Sequence, residues 1–224
     1  MSARSRVQQL ARESYDRGDP IGWFEQVYKT AKGDEAQIPW ASLLPSSHLT
    51  TWLRDDYAEV LENLGEALVI AAGLGDDAEL LAGSGLNVTA FDISKTAVEW
   101  ARKRFADSTV EYVVENLFQP PDEWKNSFNF VFETQTLQAL PWKLRAEAVR
   151  RISSFVSPGG TLLVVTLGRG EQEEAGQLPW PLAKSELDAF KENGMNEIRF
   201  VDTTSESGRR WFVVTYQKPA EATA

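Results

Sequence analysis

A doubly wound α/β sheet, mostly parallel, ending in an antiparallel hairpin and covered by an N-terminal helical cap, is the fold class the sequence predicts. Three observations predict it. Up to residue 66 the apolar residues recur at helical spacing, and from Ala67 onward short runs rich in β-branched and aromatic residues alternate with helical stretches. The last two such runs are joined by the tight turn Ser205-Glu206-Ser207-Gly208. Strands buried on both faces read as near-continuous apolar runs, and parallel ones need crossover helices between them, which is the alternation seen here.

In the cap, Val7, Leu10, Ala11 and Tyr15 form one apolar stripe, and Trp52, Leu53, Val60, Leu61 and Leu64 form another. Gly18-Asp19-Pro20 ends the first helix, and a second, aromatic helix runs around Trp23 to Tyr28. A polar loop, Lys32 to Gln37, precedes Ile38-Pro39-Trp40. Strands are expected at 67–72, 87–93, 110–115, 128–133, 161–167, 197–203 and 210–217, seven in all. Helices are expected at 76–83, 94–105, 143–156 and 184–192, with the Ser94 hydroxyl capping the second of them. A Gly- and Glu-rich loop spans 168–177. The expected organisation is a single domain over residues 1–224, with the helical cap at 1–66 and the sheet core at 67–218.

Composition narrows the function. The formal charge of -10 repels phosphate backbones and anionic headgroups, so neither nucleic acid nor membrane is expected as a partner. The longest apolar runs, 67–74 and 161–167, are far short of a bilayer span, and residues 2–9 lack a hydrophobic signal core, so a cytoplasmic protein is expected. With no cysteine and one histidine, disulfides, thiolate chemistry and a histidine-rich metal site are excluded, and no metal is expected. His48, in Pro45-Ser46-Ser47-His48-Leu49, reads as a helix-end residue before it reads as a catalytic one.

The chemistry is expected where the first two strands end. Strand one runs into Ala71-Ala72-Gly73-Leu74-Gly75-Asp76-Asp77, and glycines there let the backbone approach a ligand at the crevice. Strand two ends at Asp92, followed by Ile93 and Ser94; a carboxylate at that tip can accept both hydroxyls of a ribose. Together they point to an adenosine-type ligand. Gly73-x-Gly75-x-x-Ala78 formally meets a dinucleotide pattern, but Asp76 and Asp77 would repel a pyrophosphate, which favours an adenosine carrying a zwitterionic sulfonium tail. At the end of strand three, the Asn116 carbonyl can accept from an adenine amino group while Leu117 covers the ring.

Four stretches resemble the class I S-adenosylmethionine-dependent methyltransferases, and within them the thiopurine methyltransferase-like branch that also holds thiol and halide methyltransferases. They are Trp23, Phe24 and Tyr28 with Pro39-Trp40; Leu68 to Asp77; Phe128 to Glu133 with Leu137 to Arg145; and Gly176 to Pro181, together covering most of residues 20–190. The loop between Tyr28 and Trp40 is longer than is usual there, and Ala71 stands where a glycine is usual. The resemblance implies a Rossmann-like seven-stranded sheet with S-adenosylmethionine as cofactor. It also implies that Trp23 and Trp40 cover the methionine end. Ala71, Gly73, Gly75, Asp92, Ile93, Asn116, Leu117 and Glu133 are then the remaining cofactor contacts, and Arg145 and Trp180 belong to the substrate site. The terminal hairpin agrees, by fold analogy, with a methyltransferase sheet over a dinucleotide fold.

The function expected is methyl transfer to a small acceptor with a soft nucleophile such as a thiol, in a monomer or weak homodimer. A thiolate needs no strong base, which suits a chain with one histidine and no cysteine. Three rivals stand beside it: an O- or N-methyltransferase with Glu133 or Asp76 as proton acceptor, a non-catalytic adenosine-ligand-binding protein, and a nicotinamide-dependent reductase.

Overall fold

A computed structural model describes residues 2–55 and 65–221. Helices α1 (Ala3–Asp16), α2 (Trp23–Ala31) and α3 (Ser47–Asp55) come first, then β1 (Glu66–Ile70), α4 (Asp76–Gly83), β2 (Asn87–Asp92), α5 (Lys95–Arg104) and β3 (Glu111–Val114). They are followed by β4 (Phe128–Thr134), α6 (Trp142–Phe155), β5 (Val156–Leu167), the short α7 (Lys184–Leu187) and α8 (Ala189–Glu192), and the hairpin β6 (Asn196–Thr204) and β7 (Arg210–Gln217). Val60, Leu61 and Leu64, expected on a helical stripe, lie outside the described residues.

The strands form one seven-stranded sheet in the order β3-β2-β1-β4-β5-β7-β6. Strands β1 to β5 are parallel, and β7 runs antiparallel to both of its neighbours. From β1 the chain runs outward through β2 and β3, then crosses back to β4 on the other side of β1. That reversal opens a crevice beyond the carboxyl ends of β1 and β4, the usual place for a ligand in such a sheet.

Alternation along each strand splits the core into two layers. Leu68, Ile70, Val131 and Val164 pack with Ile152 and Phe155 of α6, whereas Ala67, Val69, Phe130 and Phe132 pack with Leu81 of α4, Val98 of α5 and Trp52 of α3. Full burial of such side chains stabilises by roughly 1.5–3 kcal/mol each, which is why the sheet interior is continuous and apolar. A third cluster joins the cap to the crevice: Val7, Trp23, Val27, Tyr28 and Ile38 close over Leu74, Ala97 and Leu178.

Local signals explain most of the boundaries. Ser94 Oγ accepts from the Ala97 amide at 3.0 Å and caps α5 as expected, and Arg102, Lys103 and Arg104 fill its last turn, where cations suit the helix dipole. Two elements differ from the sequence expectation. Strand β5 begins at Val156, five residues before the expected 161, because Val156 pairs with Phe128 and the register resumes only at Phe130 with Thr161; Ser157-Pro158-Gly159-Gly160 absorb the slack. The single helix expected at 184–192 is broken at Asp188 into α7 and α8.

Candidate active site

The carboxyl edge of the sheet carries a cleft of about 700 Å³, roofed by the cap and reaching the tip of the β6–β7 hairpin. Its size suits a ligand of nucleoside dimensions together with a small second molecule. Ala71 to Leu74 and Asp92 with Ile93 line one half, continued by Asn116, Leu117 and the turn 134–136; His48, Leu167, Thr203, Arg209 and Trp211 line the other.

The loop after β1 makes the first wall. Ala71, Gly73 and Gly75 have φ of +49°, +57° and +93°, so the backbone turns through the left-handed region three times in five residues. Gly73 lines the cleft, and a side chain there would come within 3.0 Å of the Tyr28 hydroxyl; the absence of one keeps the floor open. Gly75 does not line the cleft. A Cβ at Gly75 would lie 2.3 Å from the Tyr112 hydroxyl, so this glycine is required for packing behind the loop.

Asp92 is buried at the tip of β2 with its carboxylate in the cleft wall. Oδ2 accepts from the Gly73 amide at 3.0 Å, and Oδ1 from the Ser94 amide at 2.8 Å. Burial pushes its pKa up to about 6, against the lowering effect of those two amides. Each carboxylate oxygen has a second lone pair, so acceptor capacity remains for ligand hydroxyls.

The two carboxylates expected to repel a pyrophosphate both hold partners. Asp76 is held by Arg104 in a two-pronged pair, both contacts 2.8 Å, so its charge is offset. Asp77 accepts from the Ser46 amide at 2.6 Å, and burial pushes it up to about 6. Two of the loop amides are in addition already engaged: Gly73 donates to Asp92, and Gly75 donates to the Ala72 carbonyl at 3.0 Å.

The cap supplies the aromatic roof. Trp23, buried at the start of α2, stacks on Phe24 at 3.8 Å and meets Trp40 edge-on at 6.2 Å; Trp40 Nε1 donates to the Tyr28 hydroxyl at 2.9 Å. Both tryptophans line the cleft. Glu25, which sequence reading missed, ties this roof to α5: its carboxylate accepts from Ser94 Oγ at 2.6 Å, Thr96 Oγ1 at 2.8 Å and the Thr96 amide at 3.1 Å. Burial would raise its pKa, but these hydrogen bonds outweigh burial and hold it below the ordinary value. The carboxylate four residues before Lys29 on an exposed helix face gave no reason to expect a long-range contact.

At the end of β3, Asn116 and Leu117 line the cleft as expected, although Asn116 Oδ1 already accepts from the Phe118 amide at 2.9 Å. Its amide group is therefore the freer end for a ligand.

Besides Gly75, three more expected site residues stand elsewhere. Glu133 is fully buried beneath the cleft, where Oε1 accepts from the Thr136 and Leu137 amides at 2.8 and 3.0 Å; it braces the turn after β4 and does not line the cleft. Burial pushes its pKa up to about 7. Arg145, expected in the substrate site, points to α7: it pairs with Glu186 at 2.6 Å and donates to the carbonyls of Leu140 and Trp180, both at 3.2 Å. Trp180 packs on Tyr15, ring centroids 6.3 Å apart, and its amide donates to the Gln138 carbonyl; Leu178 and Pro179 of the same segment line the cleft in its stead.

His48 stands in the first turn of α3, the helix-end position expected of it. It is half-buried on the cleft wall, with its ring 5.1 Å from that of Trp211 on β7. Nothing local could reveal this, since the partner strand comes at the far end of the chain.

Comparison with known proteins agrees with this geometry. Residues 67–160, from β1 into β5, match the family model described as a methyltransferase domain. A probable thiol methyltransferase of Arabidopsis thaliana is 29% identical over 149 residues, 65% of this chain and 65% of that protein. A ubiquinone biosynthesis O-methyltransferase of Xanthomonas campestris pv. campestris is 32% identical over 126 residues, 54% of this chain and 52% of that protein. The chain thus spans less than two thirds of the length of either relative. Among solved structures, the Burkholderia thailandensis 1,6-didemethyltoxoflavin-N1-methyltransferase with bound S-adenosylhomocysteine superposes with a TM-score of 0.70 at 15% identity, covering 88% of this chain and 87% of that one. Residues 67–160 are thus similar to a methyltransferase domain, and the seven-stranded sheet has the Rossmann-like fold of the superposed structure. Among the described residues no helix is long and apolar enough to cross a membrane.

Proposed function

We propose that this protein transfers a methyl group from S-adenosylmethionine to a small-molecule acceptor, and that the acceptor's nucleophile is a thiol, as in the thiopurine methyltransferase-like branch. The observation that carries the first part is the Asp92 carboxylate, buried in the cleft wall and tied to the Gly73 amide. The thiol assignment is supported by the motif resemblance and by the thiol methyltransferase relative.

S-adenosylmethionine supplies an electrophilic methyl group on a sulfonium. In this reading Asp92 accepts from the ribose hydroxyls, and Ile93, Asn116 and Leu117 border the adenine. The loop 71–73 approaches the amino-acid tail, while Trp23 and Trp40 keep water from the reacting groups. The remaining contribution is alignment, because an in-line displacement depends on holding the nucleophile and the methyl carbon in one geometry.

An O- or N-methyltransferase is the second reading, favoured by the ubiquinone biosynthesis relative. Its expected proton acceptors are ill suited: Glu133 lies outside the cleft lining and Asp76 is paired with Arg104. A panel of thiols, halides, phenols and amines assayed with labelled donor tests the choice. Transfer to thiols is expected, and transfer confined to phenols or amines would reject the thiol assignment.

A further inference from the structure

We infer that His48 is the proton acceptor for the methyl acceptor, so that the cleft takes a protonated nucleophile, a neutral thiol. The inference rests on the proposed methyl transfer and adds to it the residue that prepares the nucleophile.

Placement is the first ground. The first turn of α3 is pinned at two points, by the Ser46 amide on Asp77 at 2.6 Å and by the His48 ring against Trp211 at 5.1 Å. Asp77 opens α4, directly after the loop that borders the donor half, and Trp211 stands on β7 in the other half. His48 therefore stands on the cleft wall, close in sequence to the Ser46 contact with the start of α4 and against Trp211 of β7. Its imidazole is the only one in the chain, and the cleft offers no cysteine.

Chemistry is the second ground. Three of the four carboxylates that line the cleft already hold partners, Asp92 two amides, Asp76 Arg104 and Asp77 the Ser46 amide, and the fourth, Glu115, follows β3 beside Asn116. Among the described residues His48 has no such partner, and its ring makes an aromatic contact with Trp211. Charged groups face the same space from other elements, namely Asp76 and Asp77 from α4, Asp92 from β2, Glu115 after β3, Arg209 from the hairpin and Arg4 from α1. Burial holds the imidazole below its ordinary value, so at neutral pH it is uncharged and has a free lone pair.

The step balances simply. The acceptor S–H bond breaks, its proton goes to the imidazole nitrogen and its electron pair stays on sulfur. That pair bonds to the methyl carbon as the bond from the methyl to the donor sulfur breaks, leaving the donor a neutral thioether. The proton passes to water as product leaves.

The lone histidine permits a direct test, because it gives a single imidazole Cε1–H resonance. The resonance is followed in the intact protein with S-adenosylhomocysteine, before and after adding benzyl mercaptan, a thiol largely protonated at neutral pH. A shift on adding the thiol is expected; an unmoved resonance overturns the inference. In parallel, His48→Gln is assayed with benzyl mercaptan and with 4-nitrobenzenethiol, which is already ionised at neutral pH. Loss of a general base is expected to slow the first about a hundredfold and the second by no more than about threefold. Equal losses on both thiols, or none on either, contradict the proton-acceptor role. Calorimetry with S-adenosylhomocysteine separates the layers: failure of the wild type to bind it removes the methyl-transfer reading itself, whereas normal binding with an unmoved resonance removes only His48.

Discussion

Asp92 Oδ2 accepts the Gly73 amide at 3.0 Å, so the tip of β2 fixes the loop that leaves β1. One carboxylate thus shapes the loop and faces the cleft. Asp92→Ala is expected to weaken S-adenosylhomocysteine binding at least tenfold, because the loop anchor is lost together with the proposed ribose acceptor; hydrogen bonds to a charged group are worth about 1.5–3 kcal/mol. Asp92→Asn keeps acceptor capacity and is expected to fall between. Calorimetric titration of the two variants checks the order.

The two loop glycines are expected to respond differently. Gly75→Ala puts a Cβ 2.3 Å from the Tyr112 hydroxyl at a φ of +93°, and a loss of more than about 2 kcal/mol in unfolding free energy is expected. Gly73→Ala has 3.0 Å to the Tyr28 hydroxyl and should stay folded while donor affinity drops. Urea midpoints together with calorimetry separate the outcomes, and equal stability losses would contradict the assignment of Gly75 to packing and Gly73 to the cleft.

Ala71 holds a φ of +49°, where an L-residue is disfavoured by roughly 1–2 kcal/mol. Glycine removes that cost but loosens the unfolded chain by about 0.5–1 kcal/mol, so Ala71→Gly is expected to gain no more than about 1 kcal/mol. Ala71→Val, with a branched Cβ in the same region, is expected to lose stability. Denaturant midpoints of both variants are the check.

The sequence made the strands and the ends of β1, β2 and β3 readable, because buried parallel strands have an apolar period and break at glycine, aspartate or asparagine. Asp92, Gly73, Asn116 and Leu117 were legible for that reason. Arg145 was not: its partner Glu186 is 41 residues away, and whether a helical arginine faces a cleft or another helix depends on that distant carboxylate. His48 and Glu25 were hidden in the same way, their surroundings being Trp211 on β7 and Ser94 with Thr96 at the start of α5.

Arg145→Ala consequently tests a strut. Glu186 keeps a second cation, Arg169 at 2.7 Å, and is partly exposed, so the loss of stability is expected to be roughly 1–2 kcal/mol, less than for a fully buried pair. The KM for the acceptor thiol should stay within about twofold, since about 1 kcal/mol of lost binding would already change it by more. A large rise in that KM at unchanged stability would return Arg145 to the substrate site.

Glu133 gives the clearest pH dependence. Its pKa rises from an ordinary 4.5 to about 7 in the folded protein through burial, so the folded state holds this proton more tightly than the unfolded one. Its contribution to stability is therefore greatest below about 4.5 and declines as pH rises through the window to about 7. Glu133→Gln removes that titration while keeping the oxygen that accepts from Thr136 and Leu137. Wild type relative to this variant should lose stability between pH 5 and pH 8, as read from urea midpoints; a constant difference would refute the burial-driven shift.

In the proposed function the cleft beyond the carboxyl ends of β1 and β2 seats an adenosine bearing a sulfonium tail and not a dinucleotide. Isothermal titration of the wild-type protein with S-adenosylmethionine and, separately, with NADH tests it most directly. Saturable binding of the first, weakened in Asp92→Ala, with no heat from the second is the predicted result; binding of NADH without binding of S-adenosylmethionine would contradict it.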